Sequence, residues 1–408
     1  MGSSSSHLGI LLMARMVFDL DYLVIILFFS TFSESFRMDV WLMGFLISIY
    51  SICTLFSPIF GSLSDQYGRR GFLILGLIIF AISSGLMAGA QNWIHSLVAR
   101  ALAGLASAIF FPALLAELGD RYSYEKRTRA MGLVRLSWPI AFMLGVPLVG
   151  YSIEHLNWRL PFVVLAVLAL STGLILNLLG SSEDESQSQR FPARARLNLF
   201  KRVLLDRSSL SGLILMLLAV GSIEGLFTFF PIWIETQFQL GETSISLIFA
   251  VMGGGTFLGT LLAAGFGDKF GPKRSAVTGL VISAGCMALL PQLAFSLLAT
   301  ILVVLLLGIV FDFSMTVVPA LLTQLASDAK GTILSLNQAM NAGAIALGAA
   351  LSGLFWVRSG YAMIGLFFGS TAFLGALVGG FNIQIESDSE QMESLDVKVK
   401  DHHKDLKL

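Results

Sequence analysis

Residues 61–70 read Gly61-Ser-Leu-Ser-Asp65-Gln-Tyr-Gly68-Arg69-Arg70, and 203 residues further on the chain returns to a related stretch, Ala264-Gly-Phe-Gly-Asp268-Lys-Phe-Gly271-Pro-Lys273-Arg274. Each is a short polar turn between two apolar runs. At the same offset Asp21 falls on Glu224, Arg127 on Lys330, Gly76 on Gly279, Gly145 on Gly348 and Gly150 on Gly353. Matches between apolar residues carry little weight in this chain. Matches of rare charges and of glycines at one offset mark an internal repeat. The surroundings of residues 61–70 therefore describe both halves of the chain.

Those surroundings are apolar. Of the 408 residues 55% are hydrophobic and only 13% charged, against about 25% charged in soluble chains. A bilayer-spanning helix needs about 20 mostly apolar residues. Runs of that kind occur at roughly 8–33, 40–60, 72–90, 94–117, 130–152, 160–180, 209–234, 244–266, 275–291, 295–322, 331–356 and 361–385, giving twelve spans. Backbone amides find no water in lipid, and the runs lack a two-residue alternation, so they are helices rather than barrel strands. The first run carries Asp19 and Asp21 and is too long for a signal peptide, which makes it a retained span. The expected organisation is a disordered start or expression scar (1–7), a six-helix bundle (8–180), a cytoplasmic linker (181–208), a second six-helix bundle (209–385) and a charged cytoplasmic tail (386–408). His402-His403 in that tail reads as a solvated pair, not a metal site.

The formal net charge is zero, which argues against a nucleic-acid partner. Sorted by loop, the charge is far from balanced. With the N-terminus inside, 20 Lys and Arg lie in inner loops, linker and tail, and only Arg37, Arg159 and Arg358 lie in outer loops. Positive residues stay on the cytoplasmic side. Both termini are therefore expected in the cytoplasm, with the chain in a plasma (inner) membrane.

Residues 61–70 resemble the signature loop of the major facilitator superfamily, with 264–274 as a degenerate second copy. Arg100-Ala-Leu-Ala-Gly104 is similar to that family's span-four arginine motif. Gly145-Val-Pro147-Leu-Val-Gly150 and Trp158-Arg159-Leu-Pro-Phe162 resemble its proton-coupled drug-exporter branch. The resemblance implies an all-α polytopic fold of two pseudo-symmetric bundles working by alternating access, as a monomer, on a small-molecule substrate and protons, without a cofactor or metal. It also implies a conformational latch at Gly61, Asp65, Gly68, Arg69 and Arg70 and at Asp268, Gly271 and Lys273. Gly145, Pro147 and Gly150 are expected to bend and thin span 5.

An ionised side chain at a helix centre costs about 2.5–3.5 kcal/mol, so it normally faces a cavity or a partner. Asp21 and Glu224 lie near the middles of spans 1 and 7, and Asp312 lies in span 10. Arg15 and Asp19 are one helical turn apart and read as a structural pair. Asp21, about 200° round the helix from Asp19, is left as the free titratable group. Asp21, Glu224 and Asp312, with Arg100 tuning a neighbouring acid, form the expected proton-coupling set. By depth alone Arg100 could snorkel toward the outer interface. Arg135, near the inner end of span 5, is a candidate anion ligand or a snorkelling cation. Asn337, Gln338 and Asn341 on span 11 are further candidates for substrate binding or for joining helices. Phe227 is one as well, although Phe227, Phe229, Phe230 and Trp233 together read more simply as lipid-facing packing.

The leading reading is a proton-coupled exporter of small amphipathic molecules. The second is a symporter that brings in an organic anion. No HExxH, GxSxG or GxxxxGK[ST] pattern occurs, which argues against a membrane-embedded enzyme or an ATPase. A two-fold repeat suits alternating access better than a channel.

Overall fold

A computed structural model of the chain describes residues 2–39, 42–121, 131–178, 193–326 and 329–384. The described residues are helical and connect through short turns. Ten stretches are long and apolar enough to cross a bilayer: Gly44–Gly61, Arg69–Ala88, Trp93–Leu118, Met131–His155, Leu160–Leu178, Arg207–Phe238, Glu242–Gly267, Pro272–Leu293, Leu297–Leu325 and Thr332–Asn382. The last is two helices merged across Gly360, whose φ of 70° breaks the helical path. Ahead of them all runs Gly2–Leu27, continued by Phe29–Phe36, with three charged residues in its length, Arg15, Asp19 and Asp21. Dividing the last stretch and adding the first gives the twelve spans of the sequence reading, and the numbering 1–12 is kept below.

Three features differ from the sequence reading. The first helix starts at Gly2, inside the segment set aside as a disordered start. His7 is buried there and meets Arg121 at the end of span 4, 3.0 Å away. Half of the expected linker is a helix, Ala193–Leu205, which lies against the second bundle and buries Val203. Asp206 then accepts the Ser209 N–H at 2.7 Å and caps span 7. Residues 181–192 of the linker and the charged tail, including the histidine pair, lie outside the described residues.

The repeat is visible as geometry. Gly68 and Gly271 both take positive φ, +98° and +79°, at the entry to spans 3 and 9, a backbone region that favours glycine. Arg70 donates to the carbonyls of Leu176 and Asn177 at the end of span 6, 2.8 and 2.5 Å away. Its counterpart Lys273 donates to the carbonyl of Ile383 at the end of span 12, at 2.7 Å. Cations at helix C-termini satisfy exposed carbonyls and oppose the helix dipole. Both contacts stay within one bundle.

The two bundles meet along spans 2 and 11 and along spans 5 and 8. A Cβ on Gly44 would stand 2.5 Å from the Ala349 carbonyl oxygen, so span 2 touches span 11 backbone to backbone. A Cβ on Gly150 would meet the Ser246 side chain in the same way at 2.5 Å. Small residues allow this approach in lipid, where packing rather than water exclusion holds helices together. Span 5 widens into a π-helical turn over Ala141–Gly145 just before Pro147, which sits in the first turn of Val146–His155. The expected bend is thus an added residue in the helix, with Gly145 against Leu20 of span 1 and Gly150 against span 8.

Candidate functional site

The charged residues of span 1 are paired within the first bundle. Arg15 and Asp19 pair across one turn of span 1 at 3.5 Å, and Ser137 of span 5 donates to Asp19 at 2.5 Å. Asp21 is not the free group that the sequence suggested. Its Oδ2 lies 2.5 Å from Nη1 of Arg100, and the two side chains are 3% and 1% exposed. Arg100 therefore does not reach the interface either. Gly104, one turn further along span 4, packs so close to span 2 that a Cβ there would lie 2.8 Å from that of Cys53. The same approach brings the Arg100 guanidinium over the Tyr50 ring, 4.6 Å from its centre, and Tyr50 bonds Ser107 at 2.6 Å. A weakly hydrated, delocalised cation stacked on an aromatic face is the form of positive charge best suited to burial.

The second bundle is built differently. Glu224 receives its hydrogen bond from the neutral Tyr22 hydroxyl of span 1, at 2.7 Å. At the repeat offset Arg100 falls on Val303, so span 10 offers no arginine where span 4 does. Asp312 of span 10 is half-buried and, among the described residues, makes no hydrogen bond and no ion pair. It feels the charge of Arg135 on span 5 of the other bundle. Arg135 is exposed and also within electrostatic reach of Arg15 and Asp19. Its helical face continues through Trp138 to Phe142, and Phe142 meets Gly253 of span 8. This face looks into the space between the bundles, away from lipid.

The span 11 amides separate: Asn337 is buried with its Oδ1 unpartnered, Asn341 is half-buried and Gln338 is exposed. Phe227, Phe229, Phe230 and Trp233 do not face lipid. All four are at most 8% exposed. Phe227 and Phe230 pack on Phe249 of span 8, and Phe229 stacks on Trp356 at 5.1 Å. Apolar periodicity cannot separate lipid-facing from interior positions in a membrane helix, because both sides are apolar.

The hydrogen bonds that join the bundles lie from mid-depth to the face opposite the chain ends. They run from Tyr22 to Glu224, from Ser48 to the Ala346 carbonyl at 2.9 Å, from Thr31 to Glu242, and from the Thr243 N–H to Glu154 at 2.6 Å. In the last of these, a carboxylate of span 5 caps the N-terminus of span 8, where the helix dipole favours an anion. Glu224 apart, sequence reading missed these residues, together with Tyr50 and Ser137. Their one signal was the position of Thr31, Glu154 and Glu242 at the ends of apolar runs. Of the expected latch, Gly61 approaches Pro112 of span 4, a contact a Cβ would make at 3.3 Å, and Arg70 and Lys273 hold the span ends described above. The Asp65 and Asp268 side chains lie outside the described set.

A duplicated bundle of apolar membrane-spanning helices with an ion pair buried among them is a membrane transporter rather than an enzyme. Comparison with known proteins gives the family. The chain belongs to the Major Facilitator Superfamily, whose model matches residues 11–241 and 212–392. It is 28% identical over 352 residues to an uncharacterized MFS-type transporter of Bacillus subtilis, YwfA, covering 86% of this chain and 85% of that protein. It is 25% identical over 301 residues to Multidrug resistance protein 1 of the same organism, covering 72% and 75%. In fold it matches the crystal structure of a bacterial homolog of the human lysosomal transporter Spinster, in its inward-facing and unoccupied conformation. The TM-score is 0.69 at 15% identity, over 95% of this chain and 99% of that one.

Proposed function

We propose that this transporter exports small amphipathic molecules in exchange for protons, by alternating access, from a plasma (inner) membrane with both termini in the cytoplasm. One observation carries the reading. The repeat-equivalent acids Asp21 and Glu224 have opposite surroundings: a buried arginine holds the first, and the second meets only a neutral hydroxyl. A carboxylate fixed by an arginine has little reason to change protonation during a cycle. Glu224 and Asp312, with no cation in ion-pair contact among the described residues, are free to do so. The multidrug names of relatives at low identity support export. So do the bonds that close the face opposite the chain ends, because they leave Arg135 and Gln338 exposed on the cytoplasmic side.

Arg135 favours a second reading, import of an organic anion together with a proton. Reconstitution separates the two. In vesicles with an imposed pH gradient, ethidium moves against the proton flow in the exporter and benzoate moves with it in the importer. Accumulation that ignores the gradient overturns proton coupling in either direction.

A further inference from the structure

Arg135 and Asp312 are the two intramembrane charges that the described structure leaves without a contact. They stand on opposite bundles at one depth against span 8: Phe142, two turns along from Arg135, meets Gly253, and Ile309 and Phe313, either side of Asp312, meet Gly259 about two turns further in, and each feels the other's charge. Yet no ion pair within 4.0 Å forms between them. Their nearest competitors are committed elsewhere, since Asp19 is held by Arg15 and Ser137, and Glu224 by Tyr22. Neither belongs to the duplicated scaffold: at the repeat offset Arg135 falls on Gln338, and Asp312 on Ile109. An unpaired cation and an unpaired anion at one depth on opposite bundles make a recognition pattern with two poles.

We propose that these two side chains seat a zwitterionic amphiphile between the bundles, its carboxylate on Arg135, its ammonium on Asp312 and its apolar body along the adjoining aromatic wall. The inference rests on the exporter reading and names its substrate class. A guanidinium offers a planar fork that matches a carboxylate. A carboxylate in a site of low dielectric in turn takes an ammonium. A cationic ligand without a carboxylate would leave Arg135 unpaired and repelling it, and an anionic ligand without an amine would do the same to Asp312. The wall starts one turn from Arg135. Trp138 is half-buried and lies 5.3 Å from the Phe142 ring and 6.2 Å from the Tyr22 ring, and Phe142 continues to Phe249 at 6.4 Å. Because the two poles sit on spans 5 and 10, the ligand ties the bundles together on the cytoplasmic side. It thereby favours the state closed on that side, as a ligand does whenever it binds one conformation better than the other. A proton arriving at Asp312 cancels the ammonium's partner and releases the cargo.

The test is a three-ligand comparison on the purified full-length protein, following tryptophan fluorescence. The probes are 4-benzoylphenylalanine, its methyl ester, which lacks the carboxylate, and its N-acetyl derivative, which lacks the ammonium. Wild type is expected to bind the zwitterion at least about tenfold more tightly than either derivative, or about 1.4 kcal/mol. Arg135→Gln should bind zwitterion and ester equally, and Asp312→Asn should bind zwitterion and N-acetyl acid equally. The exchanged pair Arg135→Asp with Asp312→Arg should regain the preference. Retained ester binding shows that Arg135→Gln is folded. Equal binding of all three by wild type, binding of none, or an undiminished preference in Arg135→Gln overturns the seat. Such a result leaves gradient-driven transport standing, whereas transport that ignores the gradient with the preference intact removes the exporter reading and keeps the seat.

Discussion

The two bundles share a scaffold and differ in how they treat charge. In the first, each acid of span 1 has a cation: Asp19 has Arg15, and Asp21 has Arg100. In the second, the position of Asp19 is Ser222, that of Arg15 is Leu218 and that of Arg100 is Val303. Glu224 has no arginine at the equivalent place and takes its hydrogen bond from the Tyr22 hydroxyl of the opposite bundle. Duplication thus preserved the turns, the close glycine contacts and the cations on span ends, while the buried electrostatics diverged. On the proposed function, the first half is fixed and the second titrates.

The comparison breaks most easily at Arg100. Arg100→Met strands the Asp21 carboxylate in a buried site, and losing one member of such a pair costs about 3–5 kcal/mol. The expected readout is a clear fall in melting temperature in detergent. Arg100→Val combined with Asp21→Asn imitates the second bundle and should recover most of that loss. A single variant that melts like wild type would show that the pair is not structural.

Next in size is a test of the shared scaffold. Gly68→Ala and Gly271→Ala each force a side chain into a glycine backbone region, at about 1–3 kcal/mol. The two losses in melting stability should agree to within about a factor of two, the usual scatter of such backbone penalties. A large cost at one turn and none at the other would mean that the repeat has diverged in its backbone as well.

The smallest effect is expected at the bond across the bundles. Tyr22→Phe removes a hydrogen bond whose net worth is about 1 kcal/mol, so the state open on the outer side should gain about fivefold in population. Spin labels on the outer loops read that shift as longer distances. Unchanged distances would place the closure of that face in other contacts, such as the Glu154 cap on span 8.

Much of this was legible in the chain. The turn at 61–70, the offset of 203 residues and the run lengths fixed the twelve spans. The spacing of Arg15 and Asp19 gave their pair, because residues four apart on a helix must meet. The partner of Asp21 was not legible, since Arg100 is 79 residues away and only tertiary packing brings them together. Nor was the interior placement of the span 7 aromatics, because lipid and protein core ask for the same residues. The linker helix at Ala193–Leu205 was hidden by its charge, which made the segment look merely soluble.

The central claim is that exchangeable protons belong to the second bundle, and proton release on binding tests it most directly. 4-Benzoylphenylalanine is added to purified protein in weakly buffered detergent with a pH indicator, and release is counted per ligand bound. The account predicts release from wild type and from the Asp21→Asn, Arg100→Val double variant, and none from Glu224→Gln combined with Asp312→Asn. Release that survives loss of both acids of the second bundle, and disappears with Asp21, would contradict it.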